Sequence, residues 1–395
     1  MPRPRIILLY ADTGGGHRAT AQAVDMAIHQ LYGDAYQTEA VNAIHALPYP
    51  YDQAEKVYPV AISQSRLGYA FFWNATNNRG STAASRFFIE TAGYNRTHHF
   101  LKQHPADLYV SCHPMLNQAI PEALHQISPG TPVVGIVSDL CTVHALAWSP
   151  KVTHYTVPTE VARQAALQNG ILPNRITVTG QPVLPNFAAR VHEGRTKRVQ
   201  MGYAPGRSVV LVMGGGDGMG HLVETVQALA QSDLPIQIVA VCGRNEQARA
   251  TIHAMPSHTP IRALGFCDNI PELMGSADVL VTKAGPGSIC EGFIAGLPLI
   301  LYDAVPGQEE GNITWVTQSG AGYWCPTPVQ VVEQVSQWLT HPDQMRQNSR
   351  SALAQARPDA ALNIARVIAD TFAQRTSQLP ISEDRFDWRD LLEKM

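Results

Sequence analysis

No apolar run in this chain approaches the roughly 18 residues that a membrane-spanning helix requires, so no span is expected. Positive charge is not in surplus either: 29 Lys and Arg stand against 32 Asp and Glu, a net charge of −3. A general binder of nucleic acid needs an excess of cations, so nucleic acid is not expected as a partner. Cysteine is scarce, and Cys112, Cys141, Cys242, Cys267, Cys290 and Cys325 form no CxxC pair. They read as reduced, half-buried thiols of a cytosolic protein, and no metal site is expected. The opening Met1-Pro2-Arg3-Pro4-Arg5 leads into too short an apolar run before Asp12 to be expected as a signal peptide. No internal repeat is visible.

What the chain does have is apolar residue enough for two cores. Hydrophobic residues fill 45% of its 395 positions and charged ones 15%, a balance that predicts two globular α/β domains. Residues 280–312 organise the rest. Asp278-Val279-Leu280-Val281 reads as the end of a buried parallel strand. The small-residue turn Ala284-Gly285-Pro286-Gly287-Ser288 follows, with Ser288 expected as the N-cap of a helix. A helix N-terminus approached by glycines suits an anion, because free N–H groups and the helix dipole point the same way. Glu291, one turn into that helix, has the reach for ribose hydroxyls. The loop that follows carries Gln308, Glu309 and Asn312, groups suited to sugar hydroxyls.

The start of the chain follows the same plan. An apolar strand over residues 6–10 runs into Asp12-Thr13-Gly14-Gly15-Gly16-His17 and a helix over 19–31. The glycine spacing departs from the GxGxxG dinucleotide fingerprint. Strand ends of an open α/β sheet face a ligand cleft, which is where His17 is expected, with an ordinary pKa suited to taking a proton from an alcohol. Strands over 107–111 and 132–138 end at Cys112-His113 and at Asp139, so Asp139 shares that cleft, either orienting His17 or acting as base itself. A third glycine turn, Gly214-Gly215-Gly216-Asp217-Gly218, offers backbone donors to a diphosphate, and the next strand end carries Arg244, a cation within reach of phosphate. Residues 61–102 lose the periodic pattern and hold Arg66, Arg79, Arg86, Arg96 and Lys102 against the single acid Glu90, interleaved with aromatics. Two readings stand: a surface for an anionic membrane and a lipid, using Phe71, Phe72, Trp73, Arg79 and Arg86, or a helical insert whose aromatics pack on the core. Residues 184–208 have linker composition, and 329–372 read as helices broken at Pro342 and Pro358.

The runs ADTGGGHRAT, GGGDGMG, TKAGPGSICE and PGQEEGN resemble the signatures of the monogalactosyldiacylglycerol synthases and the bacterial diacylglycerol glucosyltransferases. The peptidoglycan enzyme MurG is a more distant relative. The resemblance implies a GT-B fold, two Rossmann-like domains facing each other across a cleft. The expected division is an acceptor and membrane domain over 1–185, a linker over 186–207, a UDP-sugar domain over 208–372 and a tail helix over 373–395.

It also implies roles. His17 or Asp139 would deprotonate the acceptor hydroxyl, beside a loop of Gly14, Gly15 and Gly16. Gly215, Gly216, Gly285, Gly287, Ser288 and Arg244 would hold the phosphates, with Asn312 near them. Phe266 and Glu291 would take the nucleoside, and Gln308 and Glu309 the sugar. The implied reaction is inverting transfer of galactose or glucose from UDP-galactose or UDP-glucose to diacylglycerol, without a cofactor or metal. The expected place is the cytoplasm, peripheral on the inner face of the membrane. The alternatives are transfer of N-acetylglucosamine to a polyprenyl-linked acceptor and a non-catalytic UDP-sugar-binding module.

Overall fold

Runs of branched apolar residues become parallel strands buried on both faces. A computed structural model describes residues 3–378 except Gly14 and Met219. In it β1 (Arg5–Tyr10), β2 (Gln37–Asn42), β3 (Leu108–Ser111), β4 (Val133–Ile136), β5 (His154–Val157) and β6 (Ile176–Val178) form one sheet, in the order β2-β1-β3-β4-β5-β6. A second sheet takes β7 (Ser208–Met213), β8 (Ile236–Val241), β9 (Ile261–Leu264), β10 (Val279–Lys283), β11 (Leu299–Asp303) and β12 (Gly322–Trp324), in the order β12-β11-β10-β7-β8-β9. Such ladders need crossover helices, which cover both faces of each sheet and enclose separate apolar clusters. Strand order reverses between β1 and β3 and again between β7 and β10. In open α/β sheets the carboxyl edge at such a reversal is where ligands bind.

Three expectations about the chain's course need correction. Residues 186–207 are not a simple linker: the helix Phe187–Thr196 sends Phe187 and Val191 into the second domain's core. Gly194 permits this, since a Cβ there would lie 2.2 Å from the Glu272 carbonyl oxygen. The second domain also does not run to residue 372. The helix Ala360–Gln378 returns to the first sheet, where Ala361, Ile364, Ala365 and Ile368 pack with Ile6, Leu8 and Val24. The tail beyond it lies outside the described residues. Third, the helix after β10 starts at Pro286 with Gly285 as its cap, so Ser288 sits inside the first turn. Proline's fixed φ and missing N–H suit the first helical position.

The aperiodic segment forms four helices: Ala54–Gln64, Arg66–Thr76, Arg79–Ala92 and Tyr94–Gln103. Side chains between them supply caps, with Ser65 Oγ accepting from Gly68 N–H and Asn78 Oδ1 from Ser81 N–H.

Candidate active site

The carboxyl edges of the two sheets face one cavity of about 1690 Å³. On the first domain's side, β1 ends at Tyr10 and a short turn through Asp12 leads to the helix Gly16–Tyr32, which puts His17 in its first turn. Gly15, Gly16, His17 and Asp139 all line the cavity, and Gly14 lies outside the described residues. The His17 Nδ1 stands 3.4 Å from Ser138 Oγ, and its ring meets that of His113 edge-on at 4.5 Å between centroids. Burial pulls its pKa down to about 4, against opposing pulls from the Cys112 carbonyl and Asp12. The ring is therefore neutral, a proton acceptor, at physiological pH. His113 supports it: its Nδ1 accepts from Met115 N–H, which leaves Nε2–H to donate to Thr13 Oγ1.

Asp139 follows β4. Its Oδ1 accepts from Gln308 Nε2 at 3.3 Å, a bond that spans the two domains. Burial raises its pKa to about 6; the Gln308 bond lowers it and Glu309 raises it further. No hydrogen bond joins Asp139 to His17 among the described residues, so the structure does not show Asp139 orienting that ring.

The donor side is built from the ends of β7, β8 and β10. Gly215 and Gly216 turn after β7, Arg244 follows β8, and Gly285, Gly287 and Ser288 follow β10, all on the cavity wall. A Cβ on Gly287 would meet nothing within 4 Å, so that backbone is open to a ligand. Arg244 is not free: its Nε and Nη2 both bond Asp217 Oδ1, at 2.9 and 2.8 Å, and the guanidinium lies over the exposed Phe266 ring at 5.8 Å. Glu291 lines the cavity with no hydrogen-bonding partner among the described residues, and burial lifts its pKa to about 7. A hydroxyl donor would satisfy it.

Several predicted residues turn out to be committed within the protein. Gln308 Oε1 accepts from the hydroxyls of Tyr58 and Tyr69, at 3.2 and 3.0 Å, so Gln308 ties the helical insert to both domains. Glu309 is 4% exposed, bonded to Lys283 Nζ at 2.5 Å and to Val305 N–H at 2.8 Å. Asn312 is 1% exposed and off the cavity wall; its Nδ2 braces the Ala284 carbonyl from behind the turn. It shapes the phosphate site and does not face it.

The insert divides between the two readings of it. Phe71 and Phe72 are exposed, at 77% and 62%. Trp73 is buried against His144, with ring centroids 4.9 Å apart, and against Gly307. Arg86 donates to the Trp148 carbonyl, Arg66 pairs with Asp303 across the domains and Arg96 pairs with Asp52. Three of the five cations of the segment thus pair with protein groups. The side chain of Arg79 lies outside the described residues. His113, at the strand end expected to face the cleft, lines it. Sequence reasoning missed Lys283, Tyr58 and Tyr69. Only Lys283, next to the glycine turn, carried a local signal. Among the described residues no group of three or more His, Cys, Asp or Glu could hold a metal ion.

Comparison with known proteins shows the family and the fold. The family model described as monogalactosyldiacylglycerol (MGDG) synthase matches residues 17–183, and the glycosyltransferase family 28 C-terminal domain matches 209–364. A probable monogalactosyldiacylglycerol synthase 2 of Oryza sativa subsp. japonica is 34% identical over 382 residues, 92% of this chain and 80% of that protein. The monogalactosyldiacylglycerol synthase of Spinacia oleracea is 31% identical over 94% of this chain and 73% of its own. The crystal structure of Acinetobacter baumannii MurG superposes with a TM-score of 0.60 at 18% identity, covering 93% of this chain and 100% of MurG. MurG shares the two-domain fold, and the sequence matches go further: the chain belongs to the monogalactosyldiacylglycerol synthase family.

Proposed function

We propose that the chain is a peripheral membrane enzyme that transfers galactose from UDP-galactose to the sn-3 hydroxyl of 1,2-diacylglycerol, with inversion. The observation that carries this reading is where the cavity opens. Tyr49, Val57 and Phe72 line it and are also 70%, 58% and 62% exposed. Leu67, Phe71 and Phe87, on the same insert, are also exposed, at 86%, 77% and 69%. A lipid could enter there without leaving an apolar environment.

In the proposed step the acceptor oxygen bonds to C1 of the sugar as its proton passes to His17. The bond from C1 to the β-phosphate oxygen breaks, and its electron pair leaves with UDP. The anionic donor raises the pKa of His17 from about 4 towards neutrality as it binds, which improves the base. Asp139, held by Gln308 on the donor side, faces the sugar as a carboxylate and stabilises positive charge developing at C1. Backbone amides and cations balance the diphosphate, and no cofactor is invoked.

The test is UDP release on liposomes containing diacylglycerol, with UDP-galactose and UDP-glucose offered separately. Diacylglycerol-dependent release that is faster with UDP-galactose is expected; no release with either donor would sink the assignment. The variant Leu67→Ser/Phe71→Ser/Phe87→Ser should lose liposome binding about 100-fold while its UDP affinity stays unchanged. Leaving anionic lipid out of the vesicles should cost less than those substitutions. The reverse order would assign docking to charge.

The acid limb of activity follows from Asp139. A carboxylate with a raised pKa is lost as pH falls through that value, so kcat/KM should drop below about pH 6. Asp139→Asn should be slower and lack this limb. A wild-type limb near pH 4 instead would mean that only His17 titrates.

A further inference from the structure

We infer that Lys283 is the cation that binds the donor diphosphate, taking the role that sequence motifs suggest for Arg244. The inference rests on the glycine turns holding a nucleoside diphosphate sugar, and it deepens that reading.

Backbone geometry aims the side chain. β10 pairs with β11 in register from Leu280 to Thr282, and the register shifts between Thr282 and Lys283. Such a bulge turns the last side chain of a strand out of its alternation and can send it towards a site. Lys283 lies where the two glycine turns converge. A Cβ on Gly215 would stand 3.2 Å from Lys283 Cε, and one on Gly285 would stand 3.2 Å from Nζ. The ammonium thus sits against the turns after β7 and after β10, and the missing side chains keep the adjoining space open. Its side chain is 15% exposed, and what is exposed faces the cavity.

The donor count favours a ligand. An ammonium carries three N–H groups, and Lys283 has one partner among the described residues, Glu309 Oε1. The carboxylate of Glu309 is better satisfied, with Lys283 on one oxygen and Val305 N–H on the other. Arg244 differs: its side chain is 52% exposed, near the cavity rim, and two of its nitrogens are bonded to Asp217. A partly desolvated ammonium with spare donors binds phosphate oxygen more strongly than a half-exposed, already paired guanidinium. Lys283 would bridge Glu309 to the diphosphate. One ion pair would then hold the ammonium in place for the charge that leaves with UDP.

A plain structural role, in which Lys283 only neutralises Glu309, makes different predictions. Calorimetry on the full chain with UDP and with uridine separates them. Lys283→Gln should weaken UDP binding by about 10- to 100-fold, the loss of one charge-assisted hydrogen bond, and leave uridine within about twofold. Equal weakening of both ligands, or of neither, would overturn the inference. The double variant Lys283→Gln/Glu309→Gln removes the charge that the single change strands. It should recover any lost thermal stability and still bind UDP as weakly as the single variant; recovery of UDP affinity would show repulsion by Glu309 as the cause and overturn the assignment. If wild type binds uridine and UDP equally, the diphosphate reading of the cleft fails together with this inference. If wild type prefers UDP and Lys283→Gln keeps that preference, only the role of Lys283 fails.

Discussion

His17→Ala is expected to lower kcat for galactosyl transfer about 10²- to 10⁴-fold, the usual contribution of a positioned general base. UDP affinity should stay within about twofold, because the donor turns belong to the other domain. The argument is geometric first. His17 stands in the first turn of a helix that follows a central strand after a turn of only five residues, so its backbone is held close to the sheet edge. Ser138, the Cys112 carbonyl and the edge-on His113 ring hold the imidazole in place. The neutral state comes second: burial keeps the ring unprotonated, so every enzyme molecule starts with a vacant base. Single-turnover measurement of sugar transfer at saturating donor isolates the chemical step. A loss under tenfold would remove His17 from that role and move it to Asp139, whose Asn variant would then show the larger defect.

Much of this cleft is legible in the residues because its parts are local. Each glycine turn follows an apolar run and precedes a helix; Pro342 opens the second of the helices Pro328–Thr340, Pro342–Gln355 and Ala360–Gln378, and Pro358 falls before the third. Partners distant in sequence are another matter. The stripe of Ala361, Ile364, Ala365 and Ile368 has the same period whichever sheet it covers, so the return of that helix to the first domain has no local mark. Arg66, Arg86 and Arg96 look like surface charge in a list of residues. Only the fold shows Arg66 reaching Asp303, 237 positions away. Gln308 and Glu309 look like sugar-reading groups, yet the fold first uses them to join β4, the insert and β10. Ser288 was misplaced for a more ordinary reason: proline at position 286 starts the helix earlier than the serine could cap it.

Gly243→Ala is expected to destabilise the donor domain and weaken its diphosphate site together. Gly243 has φ +56°, and a Cβ there would lie 2.3 Å from the Gly216 carbonyl oxygen and 2.7 Å from its carbon. The obstacle is backbone, so no rotamer change relieves it. The same carbonyl accepts from Arg244 N–H at 2.9 Å, which locks the turn after β8 against the turn after β7. Strain of about 1–3 kcal/mol for a left-handed non-glycine residue adds to about 1–3 kcal/mol for overpacking. The first turn must therefore move, and it carries the amides proposed for the diphosphate. Gly202→Ala supplies the control, since its φ is +74° and a Cβ would meet nothing within 4 Å. That change costs only the backbone preference. Thermal denaturation with UDP titration should show Gly243→Ala less stable than Gly202→Ala and about 100-fold weaker for UDP, with Gly202→Ala binding UDP like wild type. Equal behaviour of the two variants would mean that the turns after β7 and β8 adjust independently. The donor site would then be a set of separate loops and not the single interlocked cradle that the hydrogen bond from Arg244 to Gly216 describes.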